Sequence, residues 1–391
     1  MKIHLTAFVL LLAVLFSPVY AKKEKVPGIV VDYLPASTKT FIGSPSIVVL
    51  PNGDYIASHD FFGPATTEHE RALTAVFRSA DKGKSWKKVA EIKGQFWSNL
   101  FVHQNALYLM GCWKHHGNII LRRSLDGGNS WSEPTDSTHG LLREGEYHTA
   151  PVPMVVFHGR LYRAFEYAKS TSNAWGIRYS AMVISAPLDA DLLVASNWTN
   201  SNYLTYDSTY LDGKFGGWLE GNAVVAPDGK LLDFLRVETK ELGRDMTAIL
   251  TISEDGKTAT FDPATGFLDF AGGARKFSIR YDETSKRYWT ISNLITKEFA
   301  SFSAGGIRNT LILQSSSDLR TWTIHKILLH HPDVLKHGFQ YVDWQFDGKN
   351  ILFLCRTAFD DKFGGADNFH NANYLTFHRI KNFRCLASKS R

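Results

Sequence analysis

The chain has 391 residues, 44% hydrophobic, 13% aromatic and 21% charged, with 44 Lys+Arg against 38 Asp+Glu for a formal charge of +6. That apolar fraction excludes a largely disordered chain, and 30 Gly with 13 Pro exclude collagen. The mildly basic balance favours an anionic partner without requiring nucleic acid, and ten Trp, 15 Tyr and 26 Phe suit an all-β chain, because aromatic rings pack well on pleated strands.

In chain order, Lys2 and His4 precede an apolar run over residues 5–16, followed by Ser17, Pro18 and the small exit residue Ala21. This predicts a cleavable signal peptide at 1–21 and an exported, periplasmic or secreted domain over 22–391. The run is short for a bilayer and no second one follows, so no integral membrane segment is expected. Cys112, Cys355 and Cys385 are too few for a disulfide scaffold; one pair could form, but three buried thiols is the favoured reading. No CxxC or HExxH occurs, so no cofactor is expected; an ion neutralising a substrate carboxylate is the one exception left open.

Short alternating runs bounded by Gly, Asn, Asp and Pro dominate, which predicts strands. The pattern strand, tight turn, strand recurs around Gly53, Asn105, Gly159, Gly229, Ser285 and Gly348, at intervals of 52, 54, 70, 56 and 63 residues. Such a period signals a repeat architecture, and β-repeats of this length suggest propeller blades. Between hairpins lies the pattern S-x-D-x-G-x-x-W, complete from Ser79 to Trp86 and from Ser124 to Trp131. Ser253-Glu254-Asp255-Gly256 and the stretch from Ser316 to Trp322 look like degenerate copies. In each, Asp can accept backbone N–H bonds, Gly takes positive φ and Trp staples the turn.

These turns resemble the Asp-box motif of the sialidase-like β-propellers. The resemblance implies an all-β, six-bladed propeller (seven-bladed as the alternative) with four-stranded antiparallel blades. The first blade is predicted at 46–50, 54–58, 74–78 and 86–92. The last has three strands of its own, and residues 28–33 would supply the fourth and close the ring. The loops opposite the hairpins are long and rich in His, Lys and Arg, and binding is expected there. They carry His59, His115, His116, His148, His331, His337 and His370, with Lys114, Lys276, Arg244, Arg308 and Arg356.

His148, in GEYHTAP, and one of His115 and His116 suit a general base; His59 joins them from a neighbouring blade. Glu220, in GWLEGN, and Tyr341, in GFQYVDWQ, lie near the starts of inner strands. In the sialidases a Glu–Tyr pair at similar positions forms the nucleophile, and an Asp at the place of Asp60 is the acid. Sialidases also grip the substrate carboxylate with three arginines, the first in a Phe/Tyr-Arg-Ile-Pro motif. Here that stretch reads Phe41-Ile42-Gly43-Ser44-Pro45-Ser46 and has no Arg; Arg236, Arg280, Arg308 and Arg356 occur, but their spacing identifies no triad.

The segments FIGSPS, SHDFFG, GEYHTAP, GWLEGN and GFQYVDWQ resemble exported propellers of polysaccharide breakdown, including uronate lyases and an ulvan oligosaccharide dehydratase. This implies a carbon–oxygen lyase acting by β-elimination on acidic, uronate-containing oligosaccharides, sulfated or not; a monomer is expected. His148, His115 or His116 would be the base and Tyr341 the acid. Arg356, Arg308, Arg244, Lys276, Lys114, Asp60, Trp218 and His370 would bind substrate. The alternatives are an exo-sialidase or other retaining glycosidase using Tyr341, Glu220 and Asp60, and a glycan-binding propeller without catalysis.

Overall fold

A computed structural model describes residues 24–387; the signal peptide expected at 1–21 lies outside the described residues. Each hairpin read from the turns is present. The first sheet holds Phe41–Val49, Tyr55–Phe62, Leu73–Ser79 and Lys87–Lys93, all antiparallel and in chain order. Burial falls from its first strand, almost wholly buried, to its last, where only Ile92 is buried. The inner strand has neighbours on both faces, whereas the outer one meets solvent and carries Lys87, Lys88 and Lys93.

Five sheets occur among the described residues. The structure is an all-β propeller with four-stranded antiparallel blades, except that one sheet has eight strands, one has five, and one takes a strand from residues 29–33. Leu141–His148 pairs with Gly117–Ser124 on one side and with Arg160–Tyr167 on the other, so two predicted blades share one eight-stranded sheet. The early strand Ile29–Tyr33 pairs with Tyr374–Ile380, beside Asn350–Ala358 and Gly338–Asp347. Cys112 and Cys355 are buried free thiols as expected, whereas Cys385 is exposed and not buried.

Sheets pack face to face through apolar clusters. Val48, Ile56, Val76 and Ile92 of the first sheet meet Leu100, Leu107 and Leu109 of the next, and Ile42, Ile47, Tyr55 and Phe77 meet Leu352, Leu354, Leu375 and Phe377. Polar threads stitch the inner strands as well. Leu100 N–H donates to Ser46 Oγ (2.9 Å), and Ser46 Oγ donates to Asp343 Oδ2 (2.8 Å), joining strands of three sheets. Trp344 Nε1 donates to Ser278 O at 3.0 Å, and Asn222 bonds Phe277 O and Ile279 N.

Four inner strands carry the same irregularity. Phe41–Val49, Phe96–His103, Phe215–Val225 and Gly338–Asp347 each hold an extra residue against their partner, at 43–44, 97–98, 220–221 and 341–342, and Phe215–Val225 a further one at 216. These are β-bulges, which re-aim a side chain out of the pleat. Trp97, Glu220 and Tyr341 stand at them with φ of 50°, 56° and 53°. A bulky residue in this left-handed region costs about 1–3 kcal/mol, so three such positions mark a region held by its surroundings.

The Asp boxes form as their chemistry predicts. Asp126 Oδ1 accepts Ser124 Oγ–H (2.9 Å), Asn129 N–H (3.0 Å) and Ser130 N–H (2.9 Å), and Ser124 Oγ accepts Gly128 N–H at 2.8 Å. The degenerate box at Ser316 keeps this geometry, with Leu319 at φ 62° in the place of the glycine.

Burial pushes the Asp126 carboxyl up, but the bonds from Ser130, Ser124 and Asn129 outweigh it and hold the group down at about 2. A carboxyl depressed below its unfolded value of about 4 stabilises the fold above that value and loses the contribution as pH falls toward 2. Asp126→Asn is therefore less stable than the parent at pH 6, and the gap narrows between pH 4 and 2. Urea unfolding at pH 6 and pH 2.5 measures it.

Candidate active site

The bulges surround one cavity of about 330 Å³, lined by Asp60, Phe62, Glu68, Trp97, His115, Trp175, Arg236, Arg308, Tyr341, Arg356 and His370, with Gly43, Ser44 and Phe96. Its size lies at the lower end of small-molecule sites. A larger recess of about 580 Å³, between residues such as Pro153, Ala226, Tyr281 and Gln345, lies beside the hairpin turns and has fewer charged groups on its wall.

Tyr341 and Glu220 meet. Tyr341 Oη–H donates to Glu220 Oε1 at 2.9 Å, and Arg236 Nη1 lies 3.0 Å from Glu220 Oε2 and 3.5 Å from Tyr341 Oη. Arg236 also binds Glu238. Burial and the Glu220 charge raise the Tyr341 phenol above its ordinary value, so it is neutral at neutral pH and can hand its proton to Glu220. Behind Tyr341, Lys276 Nζ donates to Val342 O (2.7 Å) and Ser278 Oγ (2.9 Å). Lys276 thus holds the bulge from within the core and does not reach the cavity; burial pushes it down to about 8.

Two more guanidiniums face the same phenol. The Arg308 Cζ lies 5.5 Å from the centre of the Tyr341 ring and Arg356 Cζ 5.0 Å from it, with Arg356 also 4.2 Å over Phe62. Arg308 donates to Gly305 O (3.0 Å) and to Gln340 Oε1; Arg356 donates to His370 O (2.5 Å), and its Nε has no partner. Among the described residues neither has a carboxylate within 4.0 Å, unlike Arg236. Within the arginine-free stretch 41–46, Gly43 has no room for a side chain: a Cβ there would collide with Asp60 Oδ1 and O.

Asp60 lies opposite the first bulge. Its Oδ1 accepts Ser44 N–H and its Oδ2 accepts Trp97 N–H at 2.9 Å, so it ties two bulged strands together. Burial pushes its carboxyl up, against the pull of those N–H groups. Glu68, on the loop after Phe62, has Oε1 3.3 Å from His69 Nε2 and a buried Oε2 with no partner. Its carboxyl is pushed up to about 7 by burial and by the charge of Asp60. His370 is lowered to about 2 by burial, Arg356 and Arg308.

His148 lies behind this wall. Nδ1 meets Glu166 Oε2 at 2.7 Å, both residues are almost fully buried, and Glu166 Oε1 accepts the N–H of Gly221 (3.1 Å) beside Glu220. Burial lowers His148 to about 3, while burial and the Glu220 charge raise Glu166 to about 8. His115 and His116 stack around Trp97, Trp175 and Tyr179, lowered to about 3 and about 2 chiefly by burial. All three imidazoles are poor proton acceptors at neutral pH.

The remaining expected residues lie elsewhere. His59 is buried between Phe61 and Phe77, with Nε2 on Asp32 Oδ2 at 2.8 Å. Trp218 sits in the core against Phe215 and Phe261, its Nε1 donating to Leu204 O, so it offers no sugar platform. Arg244 pairs with Glu241 and Asp269 near the surface. Lys114 borders a side recess with His115, His116 and Glu146.

Arg236, Glu68, Trp175 and Glu166 complete the site without having been assigned roles from the sequence. A signal for Arg236 was present: counting back from the turn at Gly229 in regular register sets Arg236 opposite Glu220, and the bulge shifts it by one residue to Leu219. No group of three or more His, Cys, Asp or Glu able to hold a metal occurs among the described residues, and no helix there is long and apolar enough to cross a membrane.

No protein-family model and no curated protein matches the chain. Solved structures do. The Hadza microbial sialidase Hz136 is 15% identical, over 91% of this chain and 69% of that one, with a TM-score of 0.60. The Trypanosoma rangeli sialidase in complex with sialic acid is 14% identical over 90% and 56%, with a TM-score of 0.56. An α-L-arabinanase of Penicillium chrysogenum is 15% identical over 91% and 98%, with a TM-score of 0.52. At these identities the likeness shows the sialidase-like propeller fold. The lyase expectation is corrected here, because these neighbours are glycoside hydrolases. The site agrees physically, since the expected base His148 is buried and lowered to about 3.

The His148–Glu166 pair carries no net charge at neutral pH. The His148 imidazole nitrogens, followed by 15N NMR, show no titration step between pH 7 and pH 5 in the parent chain; His148→Gln identifies the resonances.

Proposed function

We propose that this chain is a retaining glycoside hydrolase that releases a terminal acidic sugar, with Tyr341 as nucleophile and Glu220 as its base. The observation that carries the reading is the 2.9 Å bond from Tyr341 Oη to Glu220 Oε1 beneath three guanidiniums. The phenol oxygen attacks the anomeric carbon as its proton passes to Glu220, and the glycosidic C–O bond breaks with protonation of the leaving oxygen. Water then attacks the same carbon, the Tyr341–sugar bond breaks, and the phenol regains its proton from Glu220. Arg236 stabilises the carboxylate state of Glu220.

Arg308 and Arg356, free of protein carboxylates, suit a carboxylate on the sugar, and Arg236 can join them. They would replace a grip in which the first bulge, closed by Gly43, takes no part. A neutral phenol suits such a substrate, because a carboxylate nucleophile would be repelled by the sugar's own charge. Trp97, Trp175 and Phe62 offer apolar faces for the ring.

The wider organisation belongs to the same proposal. Counting the eight-stranded sheet as two blades gives six, with Ile29–Tyr33 completing the last. The domain would then be a monomer over 22–391, exported by a leader at 1–21.

With 4-methylumbelliferyl α-N-acetylneuraminide as probe, the parent chain releases fluorophore, and NMR of the first product shows retained configuration. Tyr341→Phe lowers kcat by at least ~10²–10³-fold. Arg356→Ala raises KM about 10–100-fold, as loss of a charge-assisted hydrogen bond requires. Undiminished turnover in Tyr341→Phe would refute the nucleophile.

A further inference from the structure

We propose that Glu68 is the proton donor, and in the second step the proton acceptor, at the glycosidic oxygen, while Asp60 is the clamp that fixes the bulges. This rests on the hydrolase reading above.

The two carboxyls lie on the same cavity but differ in how their oxygens are engaged. Both oxygens of Asp60 face backbone N–H groups, Ser44 on its own sheet and Trp97 on the next. A proton on either oxygen would confront an N–H that cannot turn away, and would release a bulge that shapes the cavity. Asp60 is also only 2% exposed and packed against Gly43. Glu68 has the complementary arrangement. Its Oε2 lies buried at the cavity wall with no hydrogen-bond partner among the described residues, and the Gly63 N–H is the one backbone donor acting on the carboxyl, so one oxygen is left unpartnered.

The loop that carries Glu68 is stitched to itself. Thr66 N–H donates to Gly63 O (3.0 Å), Arg71 N–H to Thr67 O (2.8 Å), and Thr67 Oγ to Arg71 O (2.8 Å). His115 N–H donates to Glu68 O at 2.8 Å, fixing the residue to the neighbouring sheet.

The charged and titratable groups facing the carboxyl are Asp60 on Tyr55–Phe62, Arg356 on Asn350–Ala358, the adjacent His69, and His115, whose ring lies 4.7 Å from that of His69. Burial and Asp60 raise Glu68 to about 7, while the Gly63 N–H and Arg356 pull it down. A carboxyl near the working pH can both give and retake a proton, as the two half-reactions require.

In the first half-reaction the Glu68 proton passes to the leaving oxygen as the glycosidic C–O bond breaks and the C–O bond to Tyr341 forms. In the second, water loses its proton to the Glu68 carboxylate, its oxygen joins the anomeric carbon, and Tyr341 leaves.

The test compares Glu68→Gln and Asp60→Asn in the full chain on two probes. One is 4-methylumbelliferyl α-N-acetylneuraminide, whose phenolate departs with little help; the other is 3′-sialyllactose, whose alkoxide needs a proton. Glu68→Gln should lower kcat/KM on sialyllactose by about 10²–10⁴-fold and on the fluorogenic probe by less than about tenfold. It should also remove the alkaline fall of kcat/KM near pH 7. Asp60→Asn should lower both activities together, along with the melting temperature.

A leaving-group-selective loss in Asp60→Asn, with Glu68→Gln unaffected, would overturn the assignment and leave the hydrolase reading intact. If the parent chain cleaves neither probe, the hydrolase reading fails and the acid role falls with it. Carbon-13 NMR of chain labelled at the glutamate carboxyls decides independently of turnover and of any variant's folding: a Glu68 midpoint in the ordinary range of about 4 to 5 would also overturn the proposal.

Discussion

Four backbone bulges, one extra residue each, hold this site in place. A regular strand would send successive side chains alternately into the two sheet faces, and none would point along the strand into the space where sheets converge. The bulges break that alternation at 97, 220 and 341, bringing Tyr341 onto Glu220 and setting Trp97 and Tyr341 on one cavity. Each bulge also frees backbone polar groups from the ladder, and these need partners. Asp60 collects two N–H groups, Glu166 collects that of Gly221, and Lys276 binds Val342 O. The charged residues around the cavity are therefore first a means of holding strained backbone, and only some remain available for a ligand.

This division of labour sorts the electrostatics. Groups that hold backbone are buried and strongly displaced in pKa without facing a substrate: Glu166 and Lys276 are examples, with His148 bonded behind Glu166. Arg308 and Arg356 reach the cavity and are satisfied only by carbonyl or amide oxygens. Desolvating such cations costs free energy that Asp60 and Glu220 offset only from a distance, with no carboxylate in direct contact, which marks a place where an external anion fits.

Much of the fold was legible because turns have local chemistry. Gly53, Gly229 and Gly348 fall at hairpin turns, and the Asp boxes at Asp81 and Asp126 form from residues within seven positions of one another. Tyr341 and Glu220 were legible through resemblance and through their places near inner-strand starts. The sharing of Leu141–His148 between two predicted blades was not, because pairing on both edges leaves no trace in alternation. The loss of Trp218 to the core has a similar cause: a Trp at a strand start reads alike whether it faces sugar or Phe261. Glu68 was hidden in a loop with no periodicity, and only three-dimensional placement against Asp60 and Arg356 distinguishes it from a solvated surface residue.

The pairing of Ile29–Tyr33 with Tyr374–Ile380 has a consequence for how the chain acquires its structure. Tyr33 Oη–H donates to Asp361 Oδ2 at 2.8 Å across 328 residues of sequence. Contacts so remote demand that nearly the whole polypeptide be present before the first strand finds its place, and such topologies fold slowly. A ribosome still synthesising the last sheet thus holds a chain whose opening strand has no edge to join. Its exposed backbone must wait, open to chaperones, until Tyr374–Ile380 emerges.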